Sequence, residues 1–507
     1  MEITQDHHRV TAALSVVVLL TDATTPSNGE LRLLDHLAAD PRYTVAGLWH
    51  APPATAPLGL TERLRGWFEA RAVPVPGPFQ PRHWAPQQAA PLGDDLSDCD
   101  VILDFTWNDA VDAIAHRAQH GLWRLSAFQP QAGVTEATAG RPATQVCLTR
   151  CDANGVSETL SEAMYDTKFL ARRNTEYIRE KSVQLIVHKL ARLYQSGSVV
   201  PIEAQLRAPR GGTLFGYGWR AARNVAGRVS DKLRTRLGRK PGGFYLRIGH
   251  GDVMSFDPAK GQTLPVPKGH FWADPFLIEH GDDVFCLYED FDYKTGLGQI
   301  GAGRFTQDGM DDLGLVFTAP HHLSFPYLFE HESEIFMIPE THQAKRLEVW
   351  RATDFPSKWT LHATAFENAG LADTVLFEQD GTWWLLTGLC KDSFGDFCGE
   401  LHLFRTSGPD LTWIEPHPLN PVVIGADTAR GGGRVHKVDG RLIRTSQDNS
   451  GGGYGWGLNI MEIQSLSPTD YSEIRVRHIT PDFVPGLVGC HHFDSAGGRW
   501  VIDVRKP

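Results

Sequence analysis

Four segments, far apart in the chain, hold the groups that could do chemistry. Asp274 stands in Trp272-Ala273-Asp274-Pro275 and Asp373 in Leu371-Ala372-Asp373-Thr374. Arg430 and Arg434 bracket three glycines, and His491-His492 form a pair near the C terminus. Carboxylates that share a cavity raise one another's pKa, which suits one of them to take a proton from a hydroxyl near neutral pH. Arginines grip a phosphate or carboxylate through two parallel hydrogen bonds. Pro275 locks the backbone beside Asp274 and aims its carboxylate. Only one of two adjacent histidines can face a given side of a strand, and His492 is taken as the ligand-facing one. No His-x-x-x-His or helical HExxH set is present, so no metal is expected. No GxGxxG follows the first strand, so no dinucleotide cofactor is expected either.

These groups meet only if the elements carrying them repeat. The stretch 269–291 reads as a polar-tipped entry, an apolar strand, a turn at Gly281-Asp282 and a second strand over 284–288. Similar units recur at 324–341, 371–388, 430–447 and 488–504. Their spacing of roughly 45 to 60 residues is the range of propeller blades. Alternation around Gln379-Asp380-Gly381 and Val438-Asp439-Gly440 marks hairpins. Five units predict a five-bladed β-propeller over 244–507, a ring of small sheets with few exposed edges. Its inner strands would line a funnel, opened in turn by Asp274, Tyr327, Asp373, the Arg430 to Arg434 run and the histidine pair. Trp272 and Gln447 join these as ligand contacts, a tryptophan being able to stack on a sugar ring.

A length of 507 residues calls for two or three domains. A net charge of −11 argues against nucleic acid as the main partner. Seven cysteines without a CxxC pair give no disulfide framework, and a reduced, cytoplasmic setting is expected. The apolar run 14–20 is too short to span a bilayer and reads as a buried strand, not as a signal or anchor. Residues 1–200 alternate strands (15–20, 43–49, 100–106, 122–128) with helices (29–39, 61–71, 110–120, 172–195), which predicts an α/β domain with a largely parallel sheet. A linker over 201–243 carries Arg207, Arg210, Arg220, Arg223, Arg228, Lys232, Arg234, Arg236, Arg239 and Lys240 with few acids. It reads either as a solvated linker helix or as an amphipathic segment that sits at the inner membrane face on anionic headgroups.

Over 14–200 the order of elements resembles the formyltransferase-like fold of methionyl-tRNA formyltransferase, through LLDHLAADPRYTVAGLW, DVILDF and HGLWRLSAF. That resemblance implies an asparagine and a histidine where this chain has Arg124 and Ser126. Without imidazole or amide to relay a proton, the domain is expected to serve architecture or recognition. In the second half, ADPFLIEHGDDVFCLYED and LADTVLF resemble blade motifs of the five-bladed furanosidase superfamily. WADPFLIEHGDDVFCLYED, SFPYLFEHESEIFMIPET, WRATDFPSKW and ARGGGRVHKVDGRLIRTSQD together resemble the N-terminal domain of glucosamine inositolphosphorylceramide transferases. The resemblance implies Asp274 as general base or nucleophile and Asp373 as the carboxylate that tunes it. The superfamily's acid glutamate would fall where this chain reads Arg430-Gly431-Gly432-Gly433-Arg434, and hydrolysis needs a second carboxyl group. Glu340, Glu289 and Asp290 are the candidate replacements.

The expected activity is transfer of a glycosyl group from a phosphate-bearing sugar to a hydroxyl acceptor. Asp274 would be the base, Asp373 its tuner, and Arg430 with Arg434 the grip on the anionic leaving group. A sugar-binding scaffold without chemistry and a glycoside hydrolase with a relocated acid are the alternatives.

Overall fold

The computed structural model describes residues 12–507 apart from 55–58, 73–75, 86, 94–96, 153, 205–211 and 237–242. The chain divides into two units, Met1–Ala226 with Lys391–Gly395, and Gly227–Cys390 with Asp396–Pro507.

In the first unit, Leu14–Leu20 is apolar along most of its length because the strand is buried on both faces. It lies parallel to Tyr43–His50 on one side and Val101–Asp104 on the other. The seven-stranded sheet ends in Ala90–Pro91 at one edge and continues through Leu122–Leu125, Ala143–Cys151 and Ser157–Asp166 at the other. The last two strands pair antiparallel. They are an addition that strand–helix alternation did not reveal, and the α/β sheet is mixed as a result. Asn28–Ala39 opens on a capping box in which Ser27 and Glu30 each accept from the other's backbone N–H. The helix expected over 110–120 is a 3-10 stretch, Asp109–Arg117, with Val111 and Ala115 as its buried residues; so small an apolar face gives it little reason to be longer or regular. Arg124 and Ser126 serve the sheet. Arg124 pairs with Asp104 at 2.6 Å and Asp112 at 2.5 Å, and Ser126 Oγ accepts from the N–H of Cys147. The unit is completed by the helices Leu60–Ala72 and Ala171–Ser196 and by the start of Leu214–Arg236. Arg207, Arg210, Arg239 and Lys240 of the basic segment lie outside the described residues.

The second unit is a five-bladed β-propeller. Its inner hairpins are His270–His280 with Asp283–Asp292, Ser324–His331 with Glu334–Glu340, Leu371–Gln379 with Thr382–Leu389, and Gly431–Val438 with Arg441–Asp448. These head blades I to IV, each carrying further antiparallel strands outward. Blade V is assembled from both ends of the unit. Phe493–Ala496 and Arg499–Arg505 are joined by Phe244–His250 and Gln262–Thr263, with Arg499 opposite His250 and Arg505 opposite Phe244. This latch pairs what would otherwise be two open edges. Behind it, Leu246, Ile248 and Val501 share a core with Trp272, Leu277 and Tyr288 of blade I.

One backbone irregularity, repeated, positions the site. In blades I, II and III the inner strand skips a residue between Ala273 and Phe276, Ser324 and Tyr327, and Ala372 and Val375. At each bulge the residue just inside is left-handed: Asp274 (φ 48°), Phe325 (φ 46°) and Asp373 (φ 52°). Such a step bends the strand and re-aims one side chain, at a conformational cost that aspartate bears better than most residues. In blade IV the bulge is longer, from Gly431 to Val435, and the glycines there are required by close approach. A Cβ on Gly433 would stand 2.0 Å from the Phe493 carbonyl oxygen, and one on Gly431 2.8 Å from Asp373 Cβ. Space that an acid side chain would need is filled by neighbouring blades.

Candidate active site

Asp274 and Asp373, on bulges of blades I and III, are joined by two glutamates from second strands. Glu289 lies directly across from Ala273, and Glu340 directly across from Ser324. These are equivalent places in blades I and II; blade III has Gly388 there and blade IV Ser446. All four acids are buried or nearly so, and Asp274, Glu289 and Asp373 each feel the charge of Glu340.

Their environments split them. Burial pushes the Asp274 carboxyl up to about 6, against the pull of the His491 imidazole. Burial likewise lifts Asp373 to about 7, against the pull of Arg430. Glu289 is pushed well above its ordinary value, through burial first and then the charges of Asp274 and Glu340. Glu340 is lowered: burial works against ionisation, but His342 and Arg430 outweigh it. At neutral pH Glu340 is therefore ionised, Asp274 mostly ionised and Asp373 close to its midpoint, while burial and the neighbouring carboxylates favour the protonated form of Glu289. A pair of carboxyls driven apart in this way is what acid–base chemistry requires.

Cations are distributed among the acids. Arg430 Nε donates to Asp373 Oδ2 at 2.7 Å, with its Nη2 at 3.4 Å from Oδ1 and 3.8 Å from Glu340 Oε2. Its guanidinium lies 4.9 Å from the Tyr454 ring centroid. Tyr454 is 42% exposed whereas the Arg430 side chain is 13% exposed, so the tyrosine marks the solvent side. Gln447 Nε2 reaches Asp373 Oδ2 at 3.4 Å. His491 stands between two acids, Nδ1 at 2.7 Å from Asp503 Oδ2 and Nε2 at 3.4 Å from Asp274 Oδ1. Burial opposes its charge, yet Asp503 and Asp274 raise its pKa. Asp503 also accepts the backbone N–H groups of Asp274, His491 and His492, so its orientation is over-determined.

Asp274, His491 and Asp503 present ligand atoms within 4.8 Å of one another and are the cation-site candidate among the described residues. Both ring nitrogens of His491 already face carboxylates, and the Asp503 oxygens already accept N–H donors. The arrangement fits a proton-sharing chain better than a ligand set.

Several expected ligand contacts are elsewhere. Trp272 packs on Tyr288, with ring centroids 4.6 Å apart, inside the core between blades V and I, so it cannot stack on a sugar. Tyr327 does not occupy the bulge position of blade II, which belongs to Phe325; its hydroxyl donates to the Leu376 carbonyl oxygen at 2.6 Å and ties blade II to blade III. Arg434 is taken up by Asp494 and by the carbonyl oxygens of Leu277 and Leu328, further along the inner strands than Asp274. His492 does stand beside the group, its Nδ1 3.7 Å from Asp274 Oδ1, but its ring lies against Phe276 and Phe325, makes no hydrogen bond, and is pushed down to about 3 by burial. Its neighbour His491 and Asp503 belong in the group as well, and of the candidate acids Glu289 joins Glu340 there. The interval separates Glu289 from Asp290: Glu289 follows Asp274 as Glu340 follows Phe325.

Much of the propeller has a counterpart among known proteins. Residues 259–483 match the family described as glucosamine inositolphosphorylceramide transferase 1, N-terminal. Glucosamine inositolphosphorylceramide transferase 1 of Oryza sativa subsp. japonica is 34% identical over 244 residues, covering 46% of this chain and 32% of that protein. The protein of the same name from Arabidopsis thaliana is 35% identical over 235 residues, covering 44% and 30%. The chain thus spans about a third of the length of the curated relatives it matches. Among solved structures, a Phanerochaete chrysosporium exo-β-1,3-galactanase covers 52% of this chain and 64% of its own at 12% identity and a TM-score of 0.35. A Coprinopsis cinerea α-L-arabinofuranosidase catalytic domain covers 52% and 98% at 11% identity and a TM-score of 0.36. Likenesses at these scores carry no functional argument. The matched family segment contains Asp274, Glu289, Glu340, Asp373 and Arg430, whereas His491 and Asp503 fall beyond it.

Proposed function

We propose that the propeller binds a sugar at this group and transfers a glycosyl unit to a hydroxyl acceptor. The observation that carries the reading is the convergence of Asp274, Glu340 and Asp373 from separate blades around Arg430, with protonation divided among them near neutral pH. In the step, Asp274 takes the acceptor's O–H proton as the acceptor oxygen bonds to the anomeric carbon. The bond from that carbon to the leaving oxygen breaks, and its electron pair departs with the phosphate. Asp373 and Glu340 orient Arg430, whose Nη1 points toward Cys398 Sγ at 3.9 Å and retains donor capacity for the leaving group. The transferase names of the relatives are consistent with this chemistry, although the matched segment is about a third of each of those proteins.

A thermal-shift series with free monosaccharides, sugar phosphates and nucleotide-sugars tests the reading. A ligand at about a hundred times its Kd adds ~2.7 kcal/mol to the folded state, a clear rise in Tm. Phosphate-bearing sugars should give that rise, and Arg430→Lys should lose it, because lysine keeps the charge beside Asp373 without the two-pronged geometry. Equal shifts from free sugars would remove the phosphate from the proposal. No shift with any of the series would sink it.

One observation favours a second reading, hydrolysis. Burial and the charge of Asp274 push the Glu289 carboxyl well above its ordinary value, the direction a general acid needs. If water is the acceptor, Glu289→Gln should slow release of an alkyl glycoside's aglycone by roughly 10²–10³-fold. A nitrophenyl glycoside, whose leaving group needs no proton, should be affected far less. Equal losses on both substrates would leave Glu289 a structural role.

A further inference from the structure

Two helices of the first unit are amphipathic with the polar side inward. In Leu60–Ala72, Glu69 is buried, while Leu60, Leu64, Trp67 and Phe68 are 74%, 55%, 58% and 61% exposed. Those four recur at i, i+4, i+7 and i+8 and form one stripe, with Glu62, Arg65 and Glu69 on the opposite side. The first turns of Leu214–Arg236 repeat the pattern: Tyr217 is buried, and Phe215 and Trp219 are 87% and 66% exposed. The inward side chains are what fasten these helices. Glu69 and the Tyr217 hydroxyl share a short hydrogen bond, Glu69 accepts the N–H of Arg172 at 2.8 Å, and Tyr217 accepts that of Ala171 at 3.0 Å. Folding thus consumes the polar residues and leaves the aromatic ones outside, the reverse of what core formation alone would select.

Charge identifies the occupant. Arg63, Arg71 and Arg223 are exposed around the stripes, and the Arg71 guanidinium lies 4.2 Å from the Trp67 ring centroid. Of the two acids in the first helix, Glu69 is buried and Glu62 accepts the Gly59 N–H. Over 214–240 one acid, Asp231, stands among eight basic residues in a chain of net charge −11. Exposed tryptophan and phenylalanine with a rim of one sign match a bilayer interface, where rings enter the boundary of headgroups and acyl chains while arginines meet lipid phosphates. We propose that these two helices dock the protein on an anionic lipid surface. Among the described residues no helix is long and apolar enough to cross a membrane, so the contact is peripheral.

Co-sedimentation of the full chain with vesicles of phosphatidylcholine alone, and of phosphatidylcholine with phosphatidylserine, tests this. Binding should be tighter on the anionic vesicles by about a hundredfold, three exposed arginines contributing about a factor of five each, and should weaken as salt rises. Trp67→Glu with Trp219→Glu should abolish it at unchanged Tm. Arg63→Glu with Arg71→Glu and Arg223→Glu should remove the preference for phosphatidylserine. Failure to sediment with either vesicle overturns the proposal. So does a dimer in light scattering that the tryptophan pair converts to monomer, because the face would then belong to a second copy of the chain.

Discussion

Asp274→Asn is expected to lower glycosyl transfer by about 10³-fold, the middle of the range for removing a general base, while ligand binding persists. The same substitution should make the protein more stable at pH 8. Asp274 has its pKa raised from 3.8 to about 6 in the folded chain, chiefly by burial. A carboxyl whose folded value exceeds its unfolded one favours the native state fully below about 4 and loses that advantage as pH rises through about 6. Above that window the ionised side chain costs about 3 kcal/mol. Asparagine has nothing to ionise, so its Tm should match the parent near pH 4 and exceed it at pH 8. In the parent, kcat/KM should fall tenfold per pH unit below about 6, as the base becomes protonated. An inactive variant that is also more stable separates a catalytic loss from a folding loss. Full activity in Asp274→Asn would eliminate the mechanism, and a pure binder would show unchanged affinity with no product from either protein.

The blades were legible because each hairpin announces itself locally. Gly281, Asp380-Gly381 and Asp439-Gly440 sit at the hairpin turns with positive φ, where the alternation of the flanking strands already required a reversal. The latch was not legible: alternation in 244–250 marks a strand but carries no information about a partner 250 positions away. Asp274 and Asp373 were readable as a pair because they stand at the same point of their repeats. Tyr327 was misplaced because polarity was used to find that point, whereas the backbone defines it, and in blade II the left-handed residue is Phe325. The two arginines of the glycine run looked interchangeable. The added residue in the blade IV bulge separates them, sending Arg430 to Asp373 and Arg434 to Asp494. No composition or spacing rule distinguishes these outcomes, since both depend on which neighbouring blade stands opposite.

That separation makes Arg434 the place where architecture and chemistry can be told apart. Its Nε and Nη2 each lie 2.6 Å from an Asp494 oxygen, Nη2 also donates to the Leu277 carbonyl oxygen at 2.5 Å, and Nη1 to that of Leu328 at 3.3 Å. Asp494 accepts the Leu277 N–H at 2.7 Å and has no measurable exposure. One guanidinium thereby joins blades I, II, IV and V. Burying such a pair gains little over an apolar pair of the same shape, but removing one partner strands the other's charge. Arg434→Leu is therefore expected to cost about 3–5 kcal/mol and to lower Tm by roughly 10 °C, at the 2–4 °C per kcal/mol usual for a unit of this size. Arg434→Leu with Asp494→Asn should recover much of that loss, because no ionised group is then left unpaired. His436, whose Nε2 is 3.6 Å from Asp494 Oδ1, cannot replace the arginine at neutral pH, since burial pushes its pKa down to about 4. At the temperature of assay the refolded fraction of Arg434→Leu should keep its turnover and its affinity for sugar phosphates. If turnover collapsed at unchanged Tm, Arg434 would be a grip on the leaving group after all, and the hub of the propeller would have to open far enough to let a ligand reach it.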